Sequence, residues 1–242
     1  MRVAGVDGCK GGWLVVIADA SGPLRIVDTS IAPTFLSLID RTRQCVAVGV
    51  DIPIGLSEGP ERRADIAARQ LLGFPRRTSV FRAPCQPVLH ETSDETDYSE
   101  VCTVSRKYCL RRDGKPAAIS KQAWRIMPKV REANESMTPD LQDRIVEVHP
   151  EVCFWKLNGE RPMEYKKSAN EGAAERLALL LEAFESGIIT VAPRPRKVAS
   201  LDDLYDACAA AWTAARVAYG TAERLPTDPP HDSRGLRMEI VY

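Results

Sequence analysis

Three aspartates in this 242-residue chain stand where carboxylates could act together. Asp7 follows the apolar run from Arg2 to Val6, Asp51 closes the valine-rich run from Cys45 to Ile52, and Asp206 lies inside the alanine-rich stretch from Leu201 to Tyr219. If the first two runs are adjacent parallel strands, Asp7 and Asp51 face each other across ~5 Å of sheet. Carboxylates that close repel, so they either share a proton or hold a divalent cation, and hard oxygen ligands suit Mg2+ or Mn2+ better than zinc. Asp203 and Asp206, three apart, share one helical face. Each acid also has an ordinary explanation. Asp after a strand commonly caps a turn, and Asp203 in a first helical turn is favoured by the macrodipole. That account fits Asp206 poorly: within an apolar helix its propensity is mediocre, and if buried it needs a partner. Glu147 and Glu151 are further candidates, Glu151 also being readable as a turn residue after His149-Pro150.

These acids need a scaffold. Arg2 to Val6 and Trp13 to Ala18 read as strands joined by a turn at Gly8, Gly11 and Gly12, an opening β-hairpin. Leu24 to Val27 reads as a third strand and Thr34 to Arg41 has helical spacing. Cys45 to Ile52 is the near-continuous apolar run expected of a parallel strand buried on both faces. Residues 57–137 are less regular and read as a mainly helical insertion or cap, with helices from Glu61 to Leu72 and from Ser120 to Asn134. Arg144 to His149 alternates as a fifth strand, Glu171 to Ser186 and Leu201 to Tyr219 pattern as helices, and Leu236 to Tyr242 resembles a last short strand. Length and order fit one α/β domain over 1–242: a mixed sheet of three antiparallel strands then two parallel ones, flanked by helices, with the insertion between the fourth and fifth strands.

Thirty-three basic and thirty-three acidic side chains cancel, which argues against coating nucleic acid by bulk charge. The charge is segregated, however. Pro60 to Arg131 holds fifteen Lys or Arg against eight Asp or Glu. Arg62, Arg63, Arg69, Arg76, Arg77 and Arg82 in that segment could contact phosphates, although any single arginine is ordinarily a solvated helix face. The aromatic residues are too few and scattered to mark a base-stacking platform. Seven cysteines without a Cys-x-x-Cys pair read as reduced thiols. No apolar run approaches the roughly 20 residues that span a bilayer, and the expected location is cytoplasmic. Oligomeric state is not legible.

Gly5-Val6-Asp7-Gly8-Cys9-Lys10-Gly11-Gly12-Trp13, Gly49-Val50-Asp51-Ile52-Pro53-Ile54-Gly55-Leu56, His149-Pro150-Glu151 and the Asp-Asp-x-x-Asp-Ala helix occur in order over nearly the whole chain. Together with Arg62 to Gly73 and Ser79-Val80-Phe81 they resemble the domain-of-unknown-function 429 family of predicted ribonuclease H-like nucleases. The resemblance implies a ribonuclease H-like fold and a helix motif similar to that of Holliday-junction resolvases, where two acids three apart complete a metal site. It implies Asp7 as central ligand, Asp51 or Glu147 as the acid from a neighbouring strand, and Asp203 with Asp206 from the helix. Resolvase-like sites often carry a glutamate inside the fourth strand; here Asp51 stands at its end, so which acid completes the set stays open, with Glu151 also a candidate ligand. The expected activity is metal-dependent hydrolysis of DNA or RNA phosphodiesters. Two alternatives are a non-catalytic nucleic-acid- or protein-binding adaptor on the same fold, and an actin-like phosphotransferase using Lys10 and the glycine-rich hairpin as a phosphate-binding turn.

Overall fold

In the computed structural model, residues 1–185 and 198–242 are described. The chain divides into two compact units. The first comprises 1–52, 143–224 and 241–242; the second comprises 53–142 and 225–240.

The first unit is built on a five-stranded sheet. Its strands are β1 (Arg2–Cys9), β2 (Gly12–Asp19), β3 (Arg25–Ala32), β4 (Ala47–Val50) and β5 (Ile145–Glu147), in spatial order β3-β2-β1-β4-β5. β1, β2 and β3 run antiparallel, whereas β4 is parallel to β1 and β5 to β4. This is the mixed-sheet arrangement expected from the sequence, three antiparallel strands followed by two parallel ones.

Strand alternation sorts the side chains into two faces. On one face lie Val3, Leu14, Val16, Ala18, Ala47 and Val146, packed with α9 (Leu201–Ala218). On the other, Trp13 meets Phe35 of α1 (Phe35–Arg41) edge to face at 5.2 Å. α7 (Pro150–Leu157) and α8 (Asn170–Ala183) pack beside α9. α8 covers most of its expected span; Ser186, the last residue of that span, lies outside the described residues.

α9 starts where its sequence says it should. Ser200 accepts from the Asp203 amide, and the Asp203 carboxylate accepts from the Ser200 amide, a reciprocal capping box. Its alanines then make a smooth apolar face. Gly5 and Gly49 complete the contact: a Cβ on Gly5 would sit 2.0 Å from the Ala207 carbonyl oxygen, and one on Gly49 would sit 2.7 Å from that of Ala210. Helix backbone therefore lies directly on two adjacent strands.

The second unit contains α2 (Arg63–Leu72), a 3-10 turn (Arg76–Ser79), α3 (Gln86–Glu91), α4 (Tyr98–Tyr108), α5 (Lys121–Ser136) and α6 (Pro139–Gln142), together with 225–240. The 57–137 segment read from the sequence as an insertion or cap falls within this unit, which also takes in 225–240. The acidic stretch around Glu91 to Glu100 carries the start of α4, capped by Asp97. Arg62 and Asp65 form a buried ion pair at 2.9 Å, and Arg62 also donates to the Gly55 carbonyl at 2.9 Å. Arg234 donates to the Met137 carbonyl at 2.9 Å, beyond the C-terminus of α5.

The cysteines depart from the all-thiol expectation. Cys85 and Cys109 are joined in a disulfide, their Cα atoms 6.0 Å apart, while Cys9, Cys45, Cys102, Cys153 and Cys208 are buried thiols. Neither partner lies in a sequence motif that announces pairing; proximity arises only once α3 and α4 pack. Strands β6 (Arg224–Leu225) and β7 (Ile240–Val241) pair with each other, so the final strand is shorter than Leu236 to Tyr242. Among the described residues no helix is long and apolar enough to cross a membrane.

Candidate active site

The glycine contacts explain how the acids converge. Gly5 faces α9, so Asp7, two residues on, faces the same side at the C-terminal end of β1. Gly49 faces α9 in the neighbouring strand, and two residues later comes Asp51, whose amide donates to the Val6 carbonyl at 2.9 Å. Asp206 precedes Ala207, the residue seated on Gly5. A repeated Gly-x-Asp thus marks where the helix lands and where the carboxylate emerges.

Electrostatics records the crowding. Burial first, then the charges of Asp51 and Asp206, raise the Asp7 carboxyl well above its ordinary range. Burial and Asp206 push Asp51 up to about 8. Burial also raises Asp206, to about 6, although Lys167 beside it pulls the other way.

Lys167 is a member of the site that the sequence reading passed over. It lies in the loop that joins α7 to α8, and its ammonium is hydrogen-bonded and ion-paired to the nearly inaccessible Asp206 carboxylate. Burial works against its charge, but Asp206, Asp7 and Asp51 more than offset that and raise its pKa. Its loop is braced. The Glu164 amide donates to Glu175 at 2.8 Å, and Gly172 lets α8 lie against the Lys166 carbonyl, 2.0 Å from where a Cβ would stand. A lone lysine in a polar loop carries no signal in sequence; only the packing of α8 reveals it.

The other expected residues are placed differently. Glu147 pairs in register with Val50, so it shares the sheet face opposite Asp51, buried, and still raises the Asp51 pKa through space. Asp203 is engaged in the capping box while its charge adds to the field at Asp7. Glu151, in the first turn of α7, is buried and ion-paired to the equally buried Arg176; its Oε2 has no hydrogen-bond partner among the described residues. Lys10 is exposed at the β1–β2 turn.

The arginines of the second unit form a separate set. Arg62 and Arg76 are buried and Arg63 is exposed. Arg69, Arg77 and Arg82 line a groove of about 770 Å3.

Among the described residues no group of three or more His, Cys, Asp or Glu side chains is arranged to hold a metal ion. The donor chemistry nevertheless fits a hard divalent cation. Three carboxylates repel one another, an ammonium is drawn among them, and a neighbouring carboxylate oxygen is left unsatisfied.

No curated protein matches the chain. Among solved structures it is similar to the Thermus thermophilus RuvC structure, at 16% identity with a TM-score of 0.34, over 91% of this chain and 98% of that one. The family model described as "Protein of unknown function (DUF429)" matches residues 5–231. With its motifs in order along almost its full length, the chain belongs to that family.

Proposed function

We propose that the protein is a divalent-metal-dependent phosphodiester hydrolase acting on nucleic acid. The observation that carries this reading is the mutual electrostatic crowding of the buried Asp7, Asp51 and Asp206 carboxylates, with the Lys167 ammonium paired to Asp206. Asp7, Asp51 and Asp206 would hold Mg2+ or Mn2+, and Glu151 offers its unsatisfied oxygen beside them. A bound cation of this kind supplies a water of lowered pKa and stabilises the leaving oxygen of a phosphodiester. The chain supplies the rest. The glycine contacts fix the carboxylates, burial keeps their field undamped, and the Lys167 ammonium beside Asp206 would meet the anionic phosphate.

Calorimetric titration of Mn2+ into the protein and its Asp51→Asn variant tests the reading. Saturable binding that weakens at least tenfold in the variant is expected, and the Asp7→Asn variant should fold yet fail to cleave oligonucleotides. Equal cleavage by Asp7→Asn would overturn the proposal.

A second reading has its own observation. The Lys167 ammonium forms an ion pair with the buried Asp206 carboxylate, which suits a non-catalytic adaptor on the same fold. Absence of Mn2+ binding by either protein at millimolar concentration would favour it.

A further inference from the structure

The second unit carries a groove of about 770 Å3, within the range of ligand-binding clefts. Five arginines line it, Arg69, Arg77, Arg82, Arg111 and Arg112, against one carboxylate, Glu61. Phe74 also lines it and is 82% exposed, the most exposed of the large hydrophobic side chains among the described residues.

The arginines fall into two sets. Glu61 holds Arg69 and Arg82, the latter at 3.2 Å, and Arg69 also donates to the Val80 carbonyl at 3.0 Å, so these two guanidiniums are fixed. Arg77, Arg111 and Arg112 are exposed and have no ion-pair partner among the described residues. They are nonetheless built in. The turn bearing Arg111 and Arg112 closes by a 2.8 Å bond from the Arg111 amide to the Lys115 carbonyl. Just ahead of it, the Cys85–Cys109 disulfide ties this turn to the segment that follows Arg82.

We propose that this groove binds a single-stranded nucleic-acid segment, with the arginines on successive phosphates and Phe74 stacked on a base. The guanidiniums come from α2, the 3-10 turn, the strand of chain at Arg82 and the 111–114 turn, a spread that suits a row of phosphates better than one small anion. An exposed ring suits a base whose face is uncovered, which a duplex does not offer. The groove would bind a strand whether or not the carboxylates of the first unit cleave it, so the two proposals can fail separately.

The test is fluorescence anisotropy of a labelled twelve-residue oligothymidylate with the 242-residue protein in EDTA. The triple variant Arg77→Ala/Arg111→Ala/Arg112→Ala should bind at least tenfold more weakly, with a logarithmic salt slope smaller by about 2, at about 0.7 per lost phosphate contact. Phe74→Ala should weaken binding about fivefold or more, with an unchanged thermal midpoint. Undiminished binding by the triple variant overturns the proposal. Competition by duplex DNA or inorganic phosphate as effective as by unlabelled strand overturns it too, pointing to a duplex or small-anion site. Retained binding without cleavage in Mn2+ sinks the hydrolase reading and leaves this one standing.

Discussion

The acids of the first unit and the arginines of the second are both charged clusters, yet they are assembled by opposite means. Asp7 and Asp51 are placed by what is missing: glycines two residues earlier that let a helix backbone touch the sheet. The arginines are placed by what is present: Asp65 fixes Arg62, and Glu61 fixes Arg69 and Arg82, while Arg77, Arg111 and Arg112 are left to solvent. A site made by close approach tolerates no added atom, whereas exposed side chains on a rim can be shortened without disturbing the fold beneath them.

Gly5→Ala is the most severe test of that contrast. Its Cβ would overlap the Ala207 carbonyl oxygen at 2.0 Å and the Ala211 amide nitrogen at 2.1 Å. Both are backbone, so the helix must lift, at a cost of about 3 kcal/mol or more. Urea denaturation reads the loss; stability within 1 kcal/mol of the parent would break the account of how the acids are placed. In the second unit, Arg62→Met should come next, at about 3–5 kcal/mol, because Asp65 is left charged and buried.

The pH dependence of stability comes third. Asp51 and Asp206 lie at about 8 and about 6 in the folded chain, above the ordinary 3.8. The fold therefore binds more protons than the unfolded chain, and the stability from these groups is full below about pH 4 and is lost as pH rises through about 6 to about 8. In EDTA the thermal midpoint should fall over that range, and Asp51→Asn should flatten the fall. Mn2+ affinity should climb over the same interval as the carboxylates shed protons. A midpoint that rises with pH in EDTA would contradict the crowding.

Lys167→Met should then raise Mn2+ affinity about tenfold by removing the competing ammonium, while weakening any cleavage, a split visible by calorimetry beside an oligonucleotide assay. Arg77→Ala should be the mildest change, within about 0.5 kcal/mol of the parent in urea. A larger loss would mean that Arg77 belongs with Arg62 rather than with the groove's solvent-facing set.

The contrast also explains what the sequence could announce. Strand order and the convergence of Asp7, Asp51 and Asp206 were legible because apolar period and strand ends are local signals. The face on which Glu147 points was not, because it depends on which residue of β4 it pairs with, and a register difference of one reverses the face. Lys167, the Cys85–Cys109 pair and the Arg111–Arg112 turn share a different obstacle: each gains its role from residues far away in sequence. Phe74 carried no cue, because the aromatic residues read as too few and scattered for a base-stacking platform and no pattern reveals its exposure. Arg62 and Arg77 look alike in sequence, and only burial separates a structural guanidinium from a free one.

α9 is seated on the sheet at Gly5 and Gly49, against which the Ala207 and Ala210 carbonyls lie. Where Asp206 stands is then set by two glycines on adjacent strands of another layer. A side chain added at either one should move a carboxylate that belongs to a different element, so the chemistry of the site depends on residues that carry none.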